Sequence, residues 1–328
     1  MEKEKEKTER EERNMGKYVF GVDVGGTTVK MGLFDAEGNL LDKWEIPTRT
    51  EKNGENILPD VAGSIKAKMA EKNLEGKDVE GVGLGAPGPI DAAGTVYGAV
   101  NLGWGTFSIS DTLSGLLGMT VKAGNDANVA ALGEMWKGGG KGCKDLVAVT
   151  LGTGVGGGII VNGGILTGSR GAGGEIGHIH VEDGETEACG CGNTGCLEEY
   201  ASATGVVRLA KRALQASEEP SVLRQRPLDK ISAKAVFDAV KEGDALAVKI
   251  AEQFGEYLGK GLAVIAGVVN PEVFVIGGGV SRAGEVLFDY IRPSFDRTVF
   301  KGCKNAKFAL ATLGNDAGIY GAAKLVLE

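Results

Sequence analysis

Apolar positions in this chain fall in short runs broken by glycine, and the arrangement occurs twice. Tyr18-Val19-Phe20-Gly21-Val22-Asp23-Val24 is short and apolar at nearly every position. That predicts a strand buried on both faces. Gly25-Gly26-Thr27-Thr28 predicts a turn, residues 29–34 a second strand and, after a turn at 35–39, residues 40–46 a third. Helical spacing predicts a helix over 56–72. Residues 79–84 read as another buried strand running into Gly85-Ala86-Pro87-Gly88-Pro89. Val121-Lys122-Ala123 leads into Asn125-Asp126-Ala127-Asn128, ahead of a helix predicted over 129–136. At Leu146 the opening pattern returns, with a strand over 146–151, the turn Gly152-Thr153-Gly154 and a strand over 157–161. Beyond Glu199 the period lengthens to that of helices, predicted over 201–216, 233–242 behind a Ser232 cap, 245–269 before Pro271, 284–295 and 317–327. Short strands are predicted over 273–276 and 308–311. The whole reads as an α/β protein in which a strand–glycine turn–strand unit is duplicated, once per lobe.

Composition changes this picture in three ways. Glycine accounts for 55 of 328 residues, about 17% against a usual ~7%. These glycines cluster in turns, which favours close approach of backbone to a ligand. The net charge of −8 argues against a nucleic-acid-coating surface and leaves a phosphate-bearing substrate open, since backbone amides and a metal ion can bind phosphate. Five cysteines with no secretory leader, and no apolar run long enough for a membrane span, predict a cytoplasmic protein that makes no contact with nucleic acid or membrane. Residues 1–16 mix Glu, Lys and Arg and predict a charged, disordered tail.

Candidate chemistry sits in the turns. In Asp23-Val24-Gly25-Gly26-Thr27 the glycines let N–H groups face phosphate oxygens, Thr27 adds a hydroxyl, and Asp23 is placed to hold Mg²⁺ or its water shell. Gly152-Thr153-Gly154 repeats the motif, so two glycine hairpins can clamp one polyphosphate. Gly277-Gly278-Gly279 gives an adenine or ribose room against the backbone. Each also has a plainer reading as a tight turn. Neither a Walker sequence nor a dinucleotide fingerprint is present. Asp126 either caps a helix or accepts a proton from an attacking hydroxyl. Between His178 and Cys196 lie both histidines and three cysteines. One imidazole and three thiolates suit tetrahedral zinc, with His178, Cys189, Cys191 and Cys196 as ligands and His180 packed in a strand. Four protein ligands close the coordination sphere, so the metal is expected to be structural.

Together, Asp23-Val24-Gly25-Gly26-Thr27, Asn125-Asp126-Ala127-Asn128, Leu151-Gly152-Thr153-Gly154, Glu175-Ile176-Gly177-His178 and Cys189-Gly190-Cys191…Gly195-Cys196-Leu197-Glu198 resemble the ROK family of sugar kinases and repressors, most closely its bacterial glucokinases. The resemblance covers residues 17–328. It implies an actin-like (ribonuclease H-like) duplicated two-lobe ATPase fold, with a zinc-bound loop at the cleft and sugar in that cleft. It implies a small lobe over 17–124, with the C-terminal helix (about 314–328) packed back on it, and a large lobe over 125–313 carrying the zinc loop and most of the nucleotide site. It implies phosphorylation of glucose at the 6-hydroxyl by MgATP, with Asp126 as general base and lobes that close on sugar. Gly88, Asn125, Glu175, His178 and Glu198 would line the sugar site. His178 would bind zinc through one nitrogen and sugar through the other. Asp23, Gly25, Gly26, Thr27, Gly152, Thr153, Gly154, Gly277, Gly278 and Gly279 would hold the nucleotide. A homodimer or dimer of dimers is expected. The alternatives are a kinase for fructose, mannose or an N-acetylhexosamine, or a sugar sensor without catalysis. A repressor would need a DNA-binding domain ahead of Asp23, for which 22 residues are too few.

Overall fold

The structure, a computed structural model, describes residues 18–327. The expected charged tail over 1–16 lies outside the described residues. The backbone divides into two compact units. One takes the described residues up to Gly138, the segment Ile165–Gly173 and the stretch from Asn315. The other takes Gly139–Gly164 and Gly174–Gly314.

In the first unit, β1 (Tyr18–Val24) pairs antiparallel with β2 (Thr28–Asp35), and β2 with β3 (Leu40–Pro47). After α1 (Ile57–Glu71) the chain enters β4 (Val79–Ala86), parallel to β1. A hairpin follows, β5 (Thr95–Ala99) with β6 (Trp104–Ser108), and then α2 (Ile109–Leu117), capped by Ser108, whose hydroxyl accepts from the Asp111 amide at 3.0 Å. The hairpin and α2 are elements that the apolar pattern does not reveal. Then β7 (Val121–Asn125) joins β4 in parallel, and α3 (Asp126–Lys137) begins at once. The sheet order is β3-β2-β1-β4-β7. Val19, Phe20, Val22 and Val24 are all buried, as a strand covered on both faces requires.

The C-terminal helix Ala317–Val326 covers β1, β4 and α3. It lies so close that glycine is required at the contact. A Cβ on Gly83 would overlap the Ala322 carbonyl, and one on Gly321 would overlap the Val129 carbonyl. Gly83→Ala is therefore expected to cost about 2–3 kcal/mol, measured as a lowered urea midpoint. An unchanged midpoint would mean that the helix steps aside freely. The same contact corrects the lobe boundary read from the sequence. Residues 125–138, expected in the large lobe, pack with the first unit, because α3 lies against the C-terminal helix.

The second unit repeats the plan. β8 (Leu146–Leu151) and β9 (Val155–Val161) form the antiparallel hairpin, and β10 (Gly164–Ile165) edges it. Helices α4 (Glu198–Ala201), α5 (Ala203–Ala216), α6 (Ala233–Lys241) and α7 (Ala245–Val269) follow. β11 (Val273–Gly277), α8 (Val286–Thr298) and β12 (Lys307–Leu310) complete it. The order β10-β9-β8-β11-β12, with β8, β11 and β12 parallel, matches that of the first sheet. Two sheets of identical order make this the duplicated, actin-like α/β fold. Helix α7 buries Ile250, Phe254, Leu258 and Leu262 at its centre, and α5, α6 and α8 pack on it. Asp244 caps it, accepting from the Ala247 amide at 2.9 Å. No helix among the described residues is long and apolar enough to cross a membrane.

Candidate active site and metal cluster

In the first unit the β1–β2 register sets Asp23 opposite Lys30. The turn between them is held from outside. The Thr48 hydroxyl donates to the Gly25 carbonyl at 2.7 Å, and the Thr48 amide to the Thr27 carbonyl at 2.9 Å. Gly26 and Thr27 are exposed, with open space where a Gly26 side chain would be. A turn braced at its base and bare at its tip offers amides to an anion. Burial pushes the Asp23 carboxyl up to about 6, against the pull of Lys30 and with a smaller push from Asp126. Gly318 lies over it, where a Cβ would sit 2.6 Å from Asp23 Cγ.

Asp126 is the first residue of α3, three residues earlier than the apolar spacing places the helix start. Asn125, not Asp126, is the cap. Its Oδ1 accepts from the Ala127 and Asn128 amides at 3.0 and 3.2 Å, and its Nδ2 donates to the Gly88 carbonyl at 3.0 Å. The Asn125 side chain also hydrogen-bonds the Asp126 carboxylate. Asp126 Oδ1 accepts from the Ala127 amide at 2.8 Å. Burial raises its pKa, offset in part by the Ala127 hydrogen bond. A carboxylate made more basic than usual, at a helix N-terminus and close enough to Asp23 to raise its pKa, is suited to proton transfer.

The second unit brings the other candidates together around Glu198. The turn Gly152–Gly154 is closed by the Gly152 amide on the Gly154 carbonyl at 3.0 Å. A Cβ at Gly154 would strike the Glu198 carboxylate, which also accepts from the Val155 amide at 3.3 Å. Gly277–Gly279 ends the neighbouring strand. Gly278, at φ +83°, lies against the backbone of Leu151, so the two glycine turns meet at one end of the sheet.

His178, Cys189, Cys191 and Cys196 present ligand atoms that all lie within 4.8 Å of one another. Cys189 Sγ is 3.7 Å from His178 Nδ1, and Cys191 Sγ is 3.6 Å from Cys196 Sγ. Ligands at Zn–S ≈ 2.3 Å on a tetrahedron stand about 3.8 Å apart, so donor set and spacing fit zinc. Two chain features gather them: the Gly192 amide donates to the Cys189 carbonyl at 2.8 Å, and the Leu197 amide to the Ile179 carbonyl at 2.8 Å. Burial pushes the Cys189 thiol up, and it donates to Glu198 Oε1 at 2.9 Å. His178 turns Nδ1 toward the cluster and leaves Nε2 4.0 Å from Glu175 Oε2. His180 spends both ring nitrogens elsewhere, on the Thr194 carbonyl at 3.0 Å and Asp183 at 2.9 Å.

Of the predicted site residues, Asp23, the Gly25–Thr27 turn, Gly88, Asn125 and Asp126 belong to the first unit, and the others to the second. Lys30 and Gly318 are neighbours of Asp23 that no motif marks. Hairpin register was the signal for Lys30. Gly318 had none, being far away in sequence.

The ROK family model matches residues 19–328. A glucokinase of Halalkalibacterium halodurans is 44% identical, over 95% of this chain and 96% of that protein. A glucokinase of Thermotoga maritima is 38% identical, over 94% and 97%. The crystal structure of a ROK family glucokinase from Streptomyces griseus in complex with glucose and AMPPNP is 36% identical, covers 94% of this chain and 98% of its own, and superposes with a TM-score of 0.70. With its paired sheets, its motifs and a match that leaves out only the first residues, this chain belongs to the ROK family.

Proposed function

We propose that the protein transfers the γ-phosphoryl group of MgATP to the 6-hydroxyl of glucose. The observation that carries this is the half-buried Asp126 carboxylate, basic for its type and close enough to Asp23 beside the glycine turn to raise that residue's pKa. The relatives that bear the name glucokinase, and the glucose–AMPPNP complex of one of them, give the substrate pair. Asp126 takes the proton of the attacking hydroxyl, while Asn125, through its cap, fixes where that carboxylate stands. Amides of the Gly25–Thr27 and Gly152–Gly154 turns receive phosphate oxygens, Gly277–Gly279 makes room for the nucleoside, and Asp23 holds the Mg²⁺ that comes with ATP. Gly88, Glu175, His178 Nε2 and Glu198 receive the sugar; oriented positioning of this kind contributes ~7–11 kcal/mol. Zinc on His178 Nδ1, Cys189, Cys191 and Cys196 supplies no chemistry of its own and fastens the loop that bears these groups. The test is an ADP-release assay across a panel of hexoses, with zinc quantified in the same preparation. Turnover fastest with glucose and about one zinc per chain are expected. Faster turnover with mannose, fructose or an acetamido sugar would replace glucose as substrate.

Asp23 also makes a stability prediction. It titrates near 3.8 when unfolded and near 6 in the fold. The folded protein thus binds the extra proton between these values, and stability falls as pH rises through that window and stays lower above it. Asp23→Asn is therefore expected to raise the stability of the nucleotide-free protein at pH 7 by about 2–3 kcal/mol while abolishing turnover. A lower melting temperature at pH 7, or a gain that persists at pH 4, would contradict it.

A further inference from the structure

The segment between His178 and Cys189 is fastened by a second set of contacts that needs no metal. The Glu185 side chain is 4% exposed. Its Oε2 accepts from the Tyr200 hydroxyl at 2.7 Å and from Arg212 Nη1 at 3.1 Å. Its Oε1 accepts from the Thr186 and Glu187 amides at 2.9 and 3.0 Å, which curls the chain just ahead of Cys189. Arg208, 13% exposed, joins this curl to the next element. Its Nη2 lies 2.7 Å from Glu185 and 2.6 Å from Glu187, and its Nη1 donates to Glu199 at 2.9 Å. Tyr200 stacks on Tyr257 at 4.0 Å, and the Tyr257 hydroxyl donates to Glu182 at 2.9 Å. Glu199 and Tyr200 immediately follow Glu198 on α4. A near-buried carboxylate and guanidinium thus tie the loop before Cys189 to the two residues that set the pitch of Glu198.

We infer that Glu185, acting through Tyr200 and Arg208, is a positioning residue for Glu198, so that the sugar site is aligned by this ion-pair clasp as well as by the metal. The inference rests on the assignment of Glu198 to the sugar. Buried charge pairs of this kind contribute geometry more reliably than net stability, because desolvation offsets much of their attraction. Breaking one should therefore appear first as misplacement of the residue it holds. Zinc would still gather its four ligands, since none of them belongs to the clasp. Phosphoryl transfer would keep its base, since Asp126 lies in the other unit.

The experiment uses the zinc-loaded full chain and three variants: Glu185→Ala, Glu185→Gln and Tyr200→Phe. Tyr200→Phe keeps the stacked ring and removes one hydrogen bond, so it tests the clasp even if Glu185→Ala folds poorly. The expected result is a rise in glucose KM of about tenfold for Glu185→Ala. Glu185→Gln and Tyr200→Phe should fall between it and the parent. kcat and the KM for ATP should stay within about twofold, with zinc unchanged per chain. Hydrogen exchange should speed up over 181–188 in Glu185→Ala without any sugar present. Unchanged glucose KM with unchanged exchange would overturn the inference. So would loss of zinc in step with the KM rise, or a parallel fall in every parameter. If the parent enzyme prefers another hexose, the same comparison is made with that sugar. If it turns over none, the exchange readout decides whether the clasp holds the loop. Failure of the glucose reading and failure of the clasp are thus seen separately.

Discussion

Asp126→Asn is expected to lower kcat about 1,000-fold, within the ~10²–10⁴ that a positioned base contributes, while glucose affinity changes little. Asparagine preserves the shape of the side chain and can still accept the Ala127 amide, which reaches the Asp126 carboxylate at 2.8 Å. What it lacks is an oxygen able to take a proton. The split between kcat and affinity is therefore informative: equal losses in both would mean that Asp126 binds sugar, and normal turnover would remove it from the chemistry. pH gives a second view. The base works ionised, and burial raises its pKa above the ordinary 3.8. Activity should fall on acidification at a higher pH than an ordinary aspartate would impose, and the Asn variant should lose that acid limb. Titrating kcat downward from neutrality in both proteins checks this.

Removal of zinc by chelation, or Cys191→Ser, is expected to cost about 3–5 kcal/mol of stability, roughly 4–7 °C in Tm for a chain of this size. It should also raise glucose KM. The two effects share one cause. His178 offers Nδ1 to the cluster and Nε2 toward Glu175, and Cys189 touches Glu198. Without metal, the buried Cys189 thiol keeps its proton and its hold on Glu198, but four ligands no longer share a centre and the imidazole is free to turn. Calorimetry and sugar titration on the same chelated sample measure both. An unshifted Tm with an unchanged KM would show that the cluster is not a zinc site in use.

Much of the architecture was legible because its signals are local. Tyr18 to Val24 is apolar on both faces, so its buried strand is visible within seven residues, and its likeness to Leu146–Leu151 reveals the duplication. The three thiols and His178 lie close enough in sequence that their gathering needs only one tight turn and one short antiparallel pairing. What stayed hidden depends on contacts between distant residues or on competing local signals. Gly98 and Gly103, both at positive φ, interrupt the alternation that would have marked the hairpin 95–108. Asn125 and Asp126 are both good caps, and choosing between them requires Gly88, which takes the Asn125 amide. The boundary at Gly138 depends on a helix that starts at Ala317. The Glu185–Arg208–Glu199 clasp links three segments whose charges, taken singly, look like a solvated surface.

That C-terminal helix bears on how the protein is made. β1 and β4 lie flush against it, through glycines that leave no other filling for the gap. A growing chain presents those strands to solvent on that face from the time they leave the ribosome until residue 326 does. Gly174–Gly314, unbroken in sequence, is available to fold before then. β1 and β4, synthesised ahead of the whole second unit, therefore belong to the unit that is completed last. Synthesis arrested before Ala317 would leave an uncovered apolar sheet of the sort that chaperones retain.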